Sequence, residues 1–226
     1  SEMCIRDRLK DLVRDKDQDA ILEFLQPIAE DGKTQLVQEL ESALQFREPA
    51  QPAFKDFNLY RIFEELAPTV GSEAADTLAI ATQKIKSVWL SEIDNLDIQE
   101  WLAFVYLKRG GYTHAERLLR TVLHRRVNQK KRFTAEWNLA VLAYKQGRLH
   151  VAFDRLRDCY EKIATMGEVS RVLLGLSIAL DREREYLKIV LRNDNVHLLP
   201  LSYRVAHEVG DSVLRNQFLN RMMAVS

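Results

Sequence analysis

Cysteine, glycine, proline and net charge are all in short supply in this chain, and each shortage closes off a class of protein. Only Cys4 and Cys159 are present, too few for a disulfide framework and without the spacing of a zinc site. Lysine plus arginine number 33 and aspartate plus glutamate 33 among 226 residues. The chain therefore lacks the basic field with which nucleic-acid binders collect phosphates, and the polybasic asymmetry of a membrane-surface protein. No apolar run approaches the roughly 20 residues that a membrane-spanning helix needs. What is present is a hydrophobic share of 46%, enough for a continuous core in one large domain or two small ones. A protein partner and a cytoplasmic location are the default expectations; no cofactor, metal or membrane partner is called for, and nucleic acid is not expected.

The first residues carry a separate signal. Met3-Cys4-Ile5-Arg6-Asp7 reads like the in-frame translation of a transposon-based sequencing adapter, which would make residues 1–8 foreign to the protein, Cys4 included. The alternative is a short native helix start, since Ile5, Leu9 and Leu12-Val13 continue a helical period.

The 8 glycines and 5 prolines fall between segments whose apolar residues recur at three- and four-residue spacing, so the chain reads as antiparallel helices joined by short turns, with no convincing strand. An N-terminal helical segment over 9–46 breaks near Asp15-Lys16-Asp17 and at Glu30-Asp31-Gly32. Pro49 and Pro52 then remove backbone donors and push their predecessors out of the helical region, which makes 47–56 the best linker. From 57 to 226 the helices come in pairs. Phe57 to Leu66 with Glu73 to Val88 is the first, and Asp97 to Arg109 with Thr113 to Arg125 the second. Thr134 to Gln146 pairs with Leu149 to Ala164, Glu168 to Leu180 with Glu185 to Leu191, and Pro200 to Val209 with Ser212 to Met223. Asp97 with Glu100, and Thr113 with Glu116, have the spacing of reciprocal caps. Hairpins of similar size in succession are the signature of a repeat protein.

Two of these hairpins superpose with a constant offset of 37 residues (147 less 110). Leu102-Ala103 falls on Leu139-Ala140, Gly110 on Gly147, Tyr112 on Leu149, Ala115 on Ala152, Leu119 on Leu156 and Val122 on Cys159. Small residues at Ala103, Ala140, Ala115 and Ala152 suit close helix crossings, and the glycines relieve the turns. In Leu102-Ala103-Tyr106-Gly110-Ala115 and Leu139-Ala140-Tyr144-Gly147-Ala152 the chain resembles the tetratricopeptide repeat family. The resemblance is clearest over 97–163 and weaker outward, where Arg182 takes the place of a turn glycine; the family's proline after the second helix is absent from both copies. It implies an all-α fold, specifically a right-handed α-solenoid of antiparallel helix-turn-helix repeats, whose concave groove, lined by the first helix of each pair, binds a peptide or helix of another protein.

Catalytic chemistry is not indicated, and no enzyme activity is expected. His114, His124, His150, His197 and His207 have no second ligand-type residue at metal-binding spacing, and His207-Glu208 lacks the second histidine of a zinc-protease helix. Cys159 stands where the other copy has Val122, a core position. Gly110-Gly111 lacks the further glycines and the lysine of a phosphate loop. The densest charge lies over 124–132, in His124-Arg125-Arg126 and Lys130-Lys131-Arg132, with Phe133 beside it as a ring that could stack on a base. A solvated turn explains this run, and binding of RNA or an acidic partner is the alternative.

The family's groove positions, laid on the two good copies, select Glu100, Phe104, Leu107 and Lys108 from one first helix. From the next they select Thr134, Trp137, Asn138, Val141, Tyr144 and Lys145. Asn138 stands where a carboxylate-clamp asparagine would be, whereas Glu100 and Phe104 replace the lysine and second asparagine such a clamp needs. The resemblance thus implies an apolar groove for a hydrophobic segment, with Trp137 and Tyr144 as anchors. The same side chains would serve as core if the N-terminal segment folded back over them. Val172-Leu173-Leu174-Gly175-Leu176 leaves hardly any polar face, so its cover must also be apolar. A docking or sensory part of a larger regulator is a third reading.

Overall fold

The computed structural model describes residues 18–49, 80, 83, 95–125, 127–162, 167–192 and 198–225. Every regular element among them is a helix: α1 (Gln18–Ala43), α2 (Asn95–Lys108), α3 (Tyr112–His124), α4 (Gln129–Lys145), α5 (Leu149–Lys162), α6 (Gly167–Ala179), α7 (Glu183–Arg192), α8 (Leu199–Glu208) and α9 (Ser212–Val225). The expected adapter sequence at 1–8 and the expected helices Phe57 to Leu66 and Glu73 to Val88 lie outside the described residues, apart from positions 80 and 83.

Four hairpins share one turn geometry. Gly110, Gly147, Asp181 and Gly210 adopt left-handed φ values of 77°, 72°, 55° and 68°. The N–H of the residue after each reaches back to a carbonyl at the end of the preceding helix: Gly111 to Tyr106 and Arg148 to Ala143 at 2.8 Å, Arg182 to Ser177 at 2.8 Å, Asp211 to Ala206 at 3.0 Å. These bonds satisfy carbonyls that a helix end leaves orphaned, and the left-handed residue lets the chain reverse. The next helix then starts at Tyr112, Leu149, Glu183 or Ser212. Turn spacings are 37, 34 and 29 residues (147 less 110, 181 less 147, 210 less 181). In the third turn the glycine position is filled by Asp181, one residue before the expected Arg182. Aspartate is among the few side chains that tolerate this conformation.

Local boundaries depart from the sequence reading in three places. Glu30-Asp31-Gly32 does not break the N-terminal segment, because α1 runs unbroken for 26 residues. Packing of α1 on α6 and α8 outweighs the roughly 1 kcal/mol that an interior glycine costs. The basic run Lys130-Lys131-Arg132 is not a turn. Asn128 caps α4, its Oδ1 accepting from the Lys131 N–H at 2.9 Å, so these cations lie in the first turn of the helix. Neither expected reciprocal cap forms: α2 starts ahead of Asp97, and Gly111 precedes α3 with no side-chain cap. Asp97 instead pairs with Lys131 of α4.

The described residues fall into two compact units, one built from Leu44–Cys159 and the other from the stretch up to Ala43 together with that from Tyr160 onward. Residues 44–49 thus belong with α2 to α4, and α1 with α6 to α9, whereas the sequence reading set 9–46 apart from 57–226.

In the first unit α2 packs on α3 and α3 on α4. The alanines expected at close crossings, Ala103, Ala115, Ala140 and Ala152, are all wholly buried, as are Leu119 and Leu156. Ion pairs tie the second helices outward, Arg155 to Glu136 at 2.9 Å and Arg148 to Glu116 at 3.6 Å. In the second unit α7 packs on α6, α8 and α9, α8 on α9, and α1 lies on both α6 and α8.

One regularity runs through both units. Except in α8, the first helix of a hairpin is buried nearly all round, as in Trp101 to Leu107 of α2, Ala135 with Trp137 to Ala143 of α4, and Val172 to Ser177 of α6. The second is buried along one stripe, as in Ala115, Leu118, Leu119 and Val122 of α3 or Tyr186, Leu187, Ile189 and Val190 of α7. A helix without a polar face requires cover on every side. In the second unit α1 supplies it: at Gly175 a side-chain carbon would meet the Leu36 carbonyl oxygen and Leu40 Cδ2, both at 2.9 Å.

Candidate functional site

Cover for α4 comes from the extended run that follows Ala43. Pro49 keeps its predecessor out of the helical region, and Leu44–Pro49 carries no regular structure. Its main chain is held by two neighbouring side chains of α4. The Asn138 Oδ1 accepts from the Arg47 N–H at 2.7 Å while its Nδ2 donates to the Arg47 carbonyl at 2.9 Å. One amide thereby replaces both partners a neighbouring strand would supply. The Trp137 Nε1–H donates to the Gln45 carbonyl at 2.9 Å. Trp137 and Asn138 are wholly buried, so these bonds satisfy groups that would each cost about 1–3 kcal/mol if left unpaired.

Side chains of the run are gripped too. The Arg47 guanidinium lies 4.3 Å from the ring centre of Trp137 and 4.9 Å from that of Phe133, two rings 5.9 Å apart. Half-buried Phe46 tilts against Tyr112 with ring centres 6.4 Å apart, and the Lys145 Nζ stands 5.7 Å from the Phe46 ring. Leu44 is wholly buried. Arginine on aromatic faces gains more when it is partly desolvated, as here. The face therefore holds residues 45–47 in two ways, through their main chain at Asn138 and Trp137, and through a cation and a ring at Phe133, Trp137 and Tyr112.

Of the residues expected to line a groove, Trp137, Asn138 and Lys145 converge on this run. Phe104, Leu107 and Val141 do not: all three are core, Phe104 and Leu107 within the cluster that joins α2, α3 and α4. Thr134 is buried, its hydroxyl donating to the Lys130 carbonyl at 3.2 Å. Tyr144 is half-buried, and Lys108 is exposed with its Nζ 5.5 Å from the Phe104 ring. Glu100 is 2% exposed, and its Oε1 has no hydrogen-bond partner among the described residues. Burial pushes its carboxyl up to about 7, opposed by the Lys131 charge and reinforced by that of Asp97. The sequence reading missed Gln45, Phe46 and Arg47, and gave Phe133 only the role of a ring on which a base could stack. The signal that could have found them is the proline-enforced extended run, placed beside a first helix with no polar face.

Phe133 is buried beneath Arg47 and offers no face for a base to stack on. Cys159 is a buried core residue. His114 stacks on Tyr106 at 5.1 Å, His124, His150 and His207 are exposed, and His197 lies outside the described residues. No group of three metal-capable side chains occurs among the described residues, and none of the described helices is long and apolar enough to cross a membrane. Comparison with protein-family models, with curated proteins and with solved structures found no match.

Proposed function

We propose that this chain is a protein–protein interaction module of tetratricopeptide-like hairpins, arranged as an α-solenoid, that holds an extended peptide of a partner protein along the first-helix face of α4. The observation that carries this reading is the Asn138 amide, which pairs with both main-chain groups of Arg47 and so holds a peptide by its main chain. The repeated left-handed turns and the matched buried alanines support the hairpin family. The role is one of binding and not of catalysis. Binding of RNA through 124–132 is the weaker reading, because Lys131 is engaged by Asp97 and Phe133 lies under Arg47.

The test is to pan a displayed library of random peptides against the full chain and against its Asn138→Ala variant. Enrichment of peptides that bind wild type and lose at least tenfold in affinity on Asn138→Ala supports the assignment. Enriched peptides indifferent to Asn138, or no enrichment at all, would sink it.

A further inference from the structure

We infer that Leu44–Glu48 is a built-in occupant of the peptide site, and that the partner's segment is an extended peptide carrying an aromatic residue followed directly by arginine, which enters by displacing it. This deepens the peptide-holding reading and rests on it.

The argument starts from what the run contributes to the fold. A chain joining α1 to the rest needs only to pass by, yet each element of this run meets a complementary group. Arg47 has its main chain paired in both directions by Asn138 and its guanidinium set against Trp137 and Phe133. Phe46 has the Tyr112 ring and the Lys145 ammonium, and Gln45 has the Trp137 indole. Such a set specifies a sequence, an aromatic and then a cation, in one main-chain conformation. Lysine would fill the cation place less well, since its compact, strongly hydrated ammonium does not stack flat between rings.

The same set is built to release. Gln45 and Glu48 are exposed and Phe46 and Arg47 half-buried, so the middle of the run is reached from solvent while Leu44 and Pro49 at its two ends are buried. It belongs to no helix or sheet ladder, the kind of segment that opens locally without global unfolding. An intramolecular occupant has a high effective concentration and lowers the apparent affinity of any competitor by the fraction of time the site is open. Weakening the occupant without touching the site should therefore raise affinity for a peptide of the same kind.

The test uses the full chain and a fluorescent synthetic peptide, Ser-Ala-Leu-Gln-Phe-Arg-Glu, that copies residues 42–48. Fluorescence anisotropy on wild type and on an Arg47→Ala chain should show at least tenfold tighter binding by the variant. Adding Asn138→Ala to that chain should undo the gain, and replacing the arginine or the phenylalanine of the peptide by alanine should weaken binding at least tenfold. Equal binding by wild type and Arg47→Ala chains, or no binding by either, overturns the occupant. Equal binding of the arginine and alanine peptides overturns the aromatic–arginine requirement. If library-selected peptides of other sequence bind through Asn138 while this peptide does not, only the present inference fails; if nothing binds through Asn138, the peptide-holding function fails with it. Should Arg47→Ala not fold, the unsubstituted chain decides: excess peptide must accelerate hydrogen exchange at the Arg47 amide, and an unchanged rate refutes displacement. Conversion of wild type to a dimer at high concentration, prevented by the peptide, would make the occupant a second copy of this chain and overturn the assignment to a partner.

Discussion

Replacing Gly175 by alanine sets two effects of opposite sign against each other. In an ordinary helix interior the change stabilises by roughly 0.5–1 kcal/mol, because glycine loses more backbone freedom on folding. Position 175 lies in α6 beneath α1, where the new Cβ would stand 2.9 Å from the Leu36 carbonyl oxygen and 2.9 Å from Leu40 Cδ2. The leucine methyl can rotate away. The carbonyl oxygen is part of the α1 backbone and moves only if the helix moves. Overpacking of this kind costs about 1–3 kcal/mol, so in the middle of both ranges the clash wins and the net loss is about 1 kcal/mol, within limits of about 0–2.5 kcal/mol. Urea unfolding followed by far-ultraviolet circular dichroism reads this as a lower midpoint with an unchanged slope. A midpoint raised by the amount usual for glycine to alanine would refute the close approach of α1 and α6.

Three further outcomes are expected. Leucine at Ala103, Ala115, Ala140 or Ala152 overpacks a wholly buried position and should lower stability by about 1–3 kcal/mol in denaturant titrations; four unchanged midpoints would mean the hairpin superposition is wrong. Trp137→Ala should lower stability by about 3–5 kcal/mol, whereas Trp137→Phe should lose less, keeping a ring under Arg47 and forfeiting only the bond to Gln45; similar losses in both would deny the ring its packing role. Glu100 binds its proton more tightly in the folded chain than in the unfolded one, with a folded pKa of about 7 against 4.5. Its contribution to stability is thus full below about pH 4.5, declines as pH rises toward 7, and is lost above. Glu100→Gln should flatten the fall in midpoint between pH 5 and pH 8, and a fall of wild-type size in the variant would contradict the burial of the charge.

How far the sequence reveals this arrangement depends on the range of the interaction. Hairpin turns and close crossings rest on local spacing, and Gly110, Gly147, Gly210 and the four alanines stand where the periodicity puts them. Asp181 escapes because the turn asks for a left-handed backbone, and aspartate supplies it without the mark that glycine leaves. The cap at Asn128 escapes because the lysines after it have the look of a solvated turn. The candidate site is half legible. Trp137, Asn138 and Lys145 can be placed from the repeat, but their occupant lies about 90 residues upstream, Arg47 and Asn138 being 91 apart. No pattern within either segment encodes that meeting. Phe104, Leu107 and Val141 look like groove for the same reason: apolar residues facing an absent neighbour and apolar residues facing a present one have the same sequence.

The docking of α1 also sets a timetable for synthesis. Leu36 meets Gly175, made 139 residues later (175 less 36), and at ribosomal rates of about 5–20 residues per second that separation is roughly 7–28 s of waiting. Throughout it, Ile21, Leu36 and Leu40, buried in the finished protein, have no partner on the nascent chain in α6 or α8. Each hairpin, in contrast, can close as soon as its own turn has emerged. α1 therefore waits for α6 before it can be seated, and a ribosome stalled between α5 and α6 would display its apolar stripe, the kind of surface that chaperones hold.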